Sequence, residues 1–186
     1  MKGKTALVTG GTHGIGLAIS KQLGSSGCKV IVCSRTQERL DATKAELEGL
    51  GIDCRIYTFD ALDSKNSLRV VQTIVKENPK IDILINNVGG GGSWGSSDII
   101  KTDMSVWREV IEKNTFSASI FTQQVLPSMI KNNWGRVITI SSIIGKESRA
   151  DCRPWFNMAK AAQIAFMKSL SKDKKLVRKG ITFNTI

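Results

Sequence analysis

The sequence predicts an open, doubly wound α/β domain with a parallel sheet, and three observations predict it. Short β-type apolar runs alternate with longer helical patterns along the whole chain. The β-type runs carry near-continuous Val, Ile and Leu, as in Val30-Ile31-Val32, the pattern of strands buried on both faces. The first such run passes directly into a glycine-rich turn, Thr9-Gly10-Gly11-Thr12-His13-Gly14-Ile15-Gly16, that opens a helical stretch.

Each element follows in order from periodicity and punctuation. Strands are predicted at Thr5–Thr9, Lys29–Ser34, Cys54–Phe59, Asp82–Asn86, Arg136–Ser141 and Ile181–Ile186. Helices are predicted between them, at about Ile15–Ser26, Gln37–Leu50, Ser64–Glu77, Met104–Lys131 and Pro154–Lys175. Gly27 is placed to stop the first helix, and Ser64 to cap the third. Gly89-Gly90-Gly91-Gly92-Ser93 reads as a loop at the C-terminal end of a strand, where such sheets bind ligands. No internal linker or repeat divides the chain, so the 186 residues form one domain.

Composition narrows the function classes. With 41% hydrophobic residues the chain can build a real core, yet no run approaches the ~20 apolar residues of a membrane span. No leading segment fits a signal peptide, so a cytoplasmic protein is expected. Cys28, Cys33, Cys54 and Cys152 lack paired spacing, and three lie in or beside strand runs, which suits buried thiols. The single histidine, His13, sits inside the glycine turn, and no metal site is expected. A net charge of +11 invites a nucleic-acid reading. Part of it clusters at Lys168, Lys172, Lys174, Lys175, Arg178 and Lys179, without interleaved aromatics, and reads as a solvated helix face.

The glycine turn points to a phosphorylated ligand. A strand turning sharply into a helix leaves backbone N–H donors and the positive end of the helix dipole free for a phosphate. The second strand ends in Ser34 and Arg35, where a dinucleotide site reads the adenine-side ribose. A carboxylate there would accept from the 2′-OH of NAD. A hydroxyl and a fixed cation instead favour the 2′-phosphate of NADP, with His13 as a further donor.

Phe59-Asp60-Ala61 follows the third strand and Asn86-Asn87-Val88-Gly89 the fourth. In this order and spacing, with Thr9, Gly10, Gly14 and Gly16, they make the chain resemble the short-chain dehydrogenase/reductase family over essentially its whole length. The resemblance implies a Rossmann-type fold and interconversion of a carbonyl and an alcohol with NADP(H). It implies a cofactor site built from Thr9, Gly10, Thr12, His13, Gly14, Ile15, Gly16, Ser34, Arg35, Asp60, Ala61, Asn87, Gly89 and Lys160. In it, Asp60 would hold the adenine edge and Asn86 would stiffen the sheet. Val88 replaces the family's usual alanine. Asn114 lies on an apolar stripe with Val106, Val110 and Ala118. It reads either as a core polar group or, as the resemblance implies, as the anchor of a water relaying protons to Lys160. Ser142, the second of two serines ending the fifth strand, matches the family serine that bonds the substrate carbonyl.

One position is discordant. The family's Tyr-x-x-x-Lys is Phe156-Asn157-Met158-Ala159-Lys160 here, so the proton-donating hydroxyl is missing while the lysine that holds the nicotinamide ribose remains. The other members of the expected catalytic group are Asn114 and Ser142. Tyr57, the only tyrosine, lies on the third strand and is expected to be structural. Three explanations stand: an engineered change, a natural enzyme whose proton comes from Ser142, Lys160 or water, or a non-catalytic nucleotide-binding or regulatory protein. The sequence also stops at Asn184-Thr185-Ile186. Against the resembled family, a substrate lid and last strand are expected beyond it. A homodimer or homotetramer packed through the two longest helices is implied as well, with Ala159, Ala161, Ala162 and Ala165 allowing close helix approach.

Overall fold

The computed structural model describes residues 1–149 and 152–186. Six parallel strands form one sheet in the order β3-β2-β1-β4-β5-β6. They are β1 (Thr5–Thr9), β2 (Lys29–Ser34), β3 (Cys54–Thr58), β4 (Ile83–Asn86), β5 (Gly135–Thr139) and β6 (Ile181–Thr185). The helices are α1 (Gly14–Ser25), α2 (Gln37–Gly49), α3 (Ser64–Glu77), α4 (Met104–Ile111), α5 (Ser117–Lys131), α6 (Pro154–Lys172) and the short α7 (Lys174–Val177).

The strand sequences explain the layering. Side chains alternate across a strand. Ala6, Val8, Val30 and Val32 therefore enter one core with Leu40 and Leu47 of α2. Leu7, Ile31, Leu84 and Val137 enter the other with Phe121, Val125 and Met129 of α5 and Met167 of α6. Strand order reverses direction between β1 and β4, which pair at Val8 and Ile85. A crevice opens beyond the carboxyl ends of strands at such a switch point.

Several predicted boundaries move. Asp63, not Ser64, caps α3: its carboxylate accepts from the Asn66 N–H at 2.9 Å. It thereby satisfies a first-turn donor and complements the helix dipole, while Ser64 instead bonds Glu112. The predicted helix Met104–Lys131 is split by a π-helical turn, Glu112–Phe116. The predicted Pro154–Lys175 ends at Lys172, because Asp173 leaves the helix and caps α7 through the Lys175 N–H. β4 begins at Ile83, although the Asp82 N–H still donates to Thr5 O and the Asp82 carbonyl accepts from the Arg136 N–H; the Asp82 carboxylate accepts from the Thr5 N–H and the Lys4 ammonium. β5 ends at Thr139, although the Ile140 and Ser141 N–H groups still donate to Asn86 and Ile186 carbonyls. Gly27, with φ +89°, follows α1 in the left-handed conformation a C-terminal stop requires.

Cys28, Cys33 and Cys54 are buried free thiols. Burial pushes the Cys54 thiol up to about 11. Tyr57 donates to the Glu77 carboxylate at 2.6 Å, the structural role expected of it. Among the described residues, no helix is long and apolar enough to cross a membrane.

Candidate active site and cofactor cleft

The glycine turn is shaped by contacts that side chains would destroy. A Cβ on Gly16 would strike the Gly10 carbonyl oxygen and the Asn87 amide, so α1 packs directly on the turn and on the segment after β4. Gly10 has φ +67° and Gly14 φ +52°. A Cβ on Gly14 would meet nothing, so that face of the helix start is open. Thr9, expected among the cofactor-binding residues, lies behind this surface: it is buried and does not line the cleft. Its hydroxyl donates to Ile85 O and accepts from the Asn87 and Val88 N–H groups, tying β1 to the β4 turn. Thr9 therefore holds the turn against the segment after β4.

A cleft of about 260 Å³ lies at the switch point. Of the sequence-predicted residues, Gly10, His13, Ser34, Arg35, Asp60, Ala61, Asn87 and Gly89 line it. Thr12 lines an adjoining hollow, and its hydroxyl meets that of Ser34 at 3.0 Å and the His13 ring at 3.4 Å. Ile15 is exposed at the start of α1, and Gly16 is buried beneath it. Two cations that the sequence reading missed also line the cleft, Arg39 and Lys113. Arg39 lies one helical turn beyond Arg35, and Lys113 is the neighbour of Asn114. Those spacings were the available signals. Burial, and then Arg35, pull the Lys113 pKa below its usual range, while Asp60 opposes them.

Four elements meet around Lys160. Its ammonium donates to Ile140 O after β5 and to Gln163 Oε1 on α6, both at 3.1 Å. The Gln163 amide donates to Asn114 O at 2.7 Å. Asn114 is fully buried on the π turn. Its side-chain amide donates to the Gly90 and Val110 carbonyls, and its oxygen accepts from the Gly90 N–H at 3.2 Å. A π turn shifts backbone bonding from i−4 to i−5, and such bulges recur at functional sites. A Cβ on Gly89 would stand 3.0 Å from both Asn114 Oδ1 and Lys160 Nζ, so glycine there admits this cluster. Burial, with Lys113 second, pulls Lys160 down to about 8.

Ser142 caps a 3₁₀ turn, Ile143–Gly145, its hydroxyl oxygen accepting from the Ile144 N–H at 3.4 Å. That turn is pressed against α6, since a Cβ on Gly145 would lie 2.6 Å from the Lys160 carbonyl carbon. Ser141 strengthens the junction by donating to Lys160 O at 3.0 Å. Phe156 lies one turn before Lys160, its ring centroid 5.7 Å from the ammonium and its edge against Gly92. The structure thus brings Asn114, Phe156 and Lys160 into one cluster, with Ser142 on the turn that packs on it.

The fold and site define a dinucleotide-binding α/β domain of oxidoreductase type. The chain belongs to the short-chain dehydrogenase family, whose pattern matches residues 4–186. It is 32% identical over 189 residues to a 3-oxoacyl-[acyl-carrier-protein] reductase of Aquifex aeolicus, spanning all of this chain and 73% of that protein. It is 35% identical over 187 residues to nodulation protein G of Azospirillum brasilense, of which it covers 74%. Among solved structures, a variant of actinorhodin polyketide ketoreductase with NADPH superposes at a TM-score of 0.87 and 33% identity. That match covers 98% of this chain and 68% of the other. The protein is an oxidoreductase of the short-chain dehydrogenase/reductase type, a class that interconverts carbonyl and alcohol with a nicotinamide cofactor.

Proposed function

We propose that this chain binds NADP(H) in preference to NAD(H), and that Phe156 slows turnover while leaving the cofactor and carbonyl sites in place. The observation that carries the cofactor choice is the polar cluster after β2: Ser34, Arg35 and Arg39 line the cleft with His13, and no carboxylate ends that strand. Solved relatives bear on the choice from both sides. A metagenomic short-chain oxidoreductase in complex with NADP superposes at a TM-score of 0.90, and an NAD⁺-bound xylitol dehydrogenase at 0.89.

The glycine turn fits the group by its shape, open at Gly14 and closed at Gly16. The 2′-phosphate falls to Arg35, Arg39, Ser34 and His13, and the adenine edge to Asp60. Lys160 holds the nicotinamide ribose with the N–H left after Ile140 and Gln163 are served. NADPH, when bound, supplies hydride. Ser142 orients and polarises the carbonyl through its hydroxyl hydrogen, which bonds no other group among the described residues. Phe156 offers no proton, so protonation falls to Lys160, Ser142 or water. A homo-oligomer packed through α4, α5 and α6 belongs to this reading, supported by half-exposed Met104 on α4, Phe116 on the π turn between α4 and α5, and Met158 on α6.

Calorimetry with NADPH and NADH, followed by rates on a panel of carbonyl substrates, tests the reading. Tight NADPH binding is expected, with Phe156→Tyr gaining about 10²–10⁴-fold in rate. Absence of binding to either cofactor at millimolar concentration would overturn it. Full activity without the tyrosine would show that a different acid already operates. A chain that binds NADPH but stays inactive after Phe156→Tyr would be a nucleotide-binding protein rather than a disabled reductase.

A further inference from the structure

We propose that Gln163 is a positioning residue that locks the Lys160 ammonium to the Asn114 backbone and closes the proton route between them. Gln163 is 1% exposed, and both ends of its amide are used. Oε1 accepts from Lys160 Nζ at 3.1 Å, and Nε2 donates to Asn114 O at 2.7 Å. The carboxamide therefore spans the distance where the family resemblance expects a relaying water.

The two occupants differ in chemistry. Water accepts one proton while releasing another, so it hands protons on. A carboxamide has a fixed accepting end and a fixed donating end, and passing a proton through it requires the unfavourable imidic-acid form. Lys160 thus exchanges its proton with the cleft and not with Asn114. Gln163 also fixes where the ammonium sits, since two of its three N–H groups are spent on Ile140 O and Gln163 Oε1. An acceptor facing the ammonium favours the charged form against burial. Among the described residues, Lys113 on the π turn is the charged group that bears on Lys160 from a packed element.

The inference rests on the NADP(H) reading for its functional meaning, but its test does not. The ¹³Cε resonance of Lys160, assigned by its loss in Lys160→Met, would be titrated without cofactor in the parent chain, in Gln163→Leu and in Gln163→Glu. The expected midpoint lies lower in Gln163→Leu and higher in Gln163→Glu, by about one pH unit each way. The pH at which NADPH affinity falls should move with it. Midpoints that coincide in all three chains would overturn the proposal, whatever the variants do to melting temperature. Where Gln163→Leu fails to fold, Gln163→Met and the near-isosteric Gln163→Glu carry the comparison. If the parent chain fails to bind NADPH while the midpoints move, the cofactor reading falls and the role of Gln163 stands.

Discussion

Lys160 shows how one residue trades stability for a site. It is 4% exposed, and burial lowers its pKa from the ordinary 10.5 to about 8. Between those values the unfolded chain holds a proton that the folded chain has released, so this group makes stability rise with pH across that window. Below about 8 both states are charged and the full cost of burial applies, on the order of 3 kcal/mol. Lys160→Met should therefore raise the melting temperature at pH 7 and remove most of the rise between pH 8 and 10, leaving the share of Lys113. The same variant should weaken NADPH binding. Melts at matched pH, beside a fluorescence titration, check both. A parent chain whose melting temperature shows no excess rise over Lys160→Met across that window would contradict the assignment. At this scale the sequence was legible where a residue type announced its chemistry, as Phe156 and Arg35 do. Gln163 was not legible, because a glutamine one turn past a lysine looks like any solvated helix pair until α6 is seen facing the π turn.

Elements divide into those that only stabilise and those that also shape the site. Asp63 belongs to the first group: it caps α3 through the Asn66 N–H. Asp63→Ala should cost about 1 kcal/mol and leave NADPH affinity unchanged. Gly16 belongs to the second group, since a Cβ there meets the Gly10 carbonyl and the Asn87 amide, a backbone group and a side chain held by its own bonds to the Thr9 and Gly10 carbonyls. Gly16→Ala should cost about 1–3 kcal/mol and in addition weaken NADPH binding at least tenfold. Urea unfolding and calorimetry on the two variants separate the effects, and a Gly16→Ala chain of undiminished affinity would remove the turn from the site. Strands and helices were legible because periodicity and buried Val, Ile and Leu runs are local signals. The π turn was not, since Val106, Val110, Asn114 and Ala118 keep an apolar stripe at ordinary helical spacing.

For the molecule as a whole, the sheet's switch point gathers charge from distant parts of the chain. Arg35 and Arg39 come from α2 and the loop before it, His13 from the first turn, and Lys113 from the π turn. Arg35, Arg39 and Lys113 thus line one cleft in a chain of net charge +11, a field suited to an anionic dinucleotide. Arg35→Asp should shift the ratio of kcat/KM values from NADPH toward NADH. The preference should also weaken as salt rises, because the cluster is partly exposed. Where turnover of the parent chain is too slow to measure, the ratio of dissociation constants serves. An unchanged ratio would remove Arg35 from the phosphate site.

The sequence by itself determined the class of fold, the order of its elements, the dinucleotide turn and the missing hydroxyl at Phe156. Those properties are written in residue types and short spacings. Only the tertiary structure decided that Thr9 works from behind the turn, that Gly89 is small to admit Asn114 and Lys160, and that Gln163 joins them. Hydrogen bonds between groups far apart in the chain depend on how helices dock across a sheet edge. No local pattern encodes that docking.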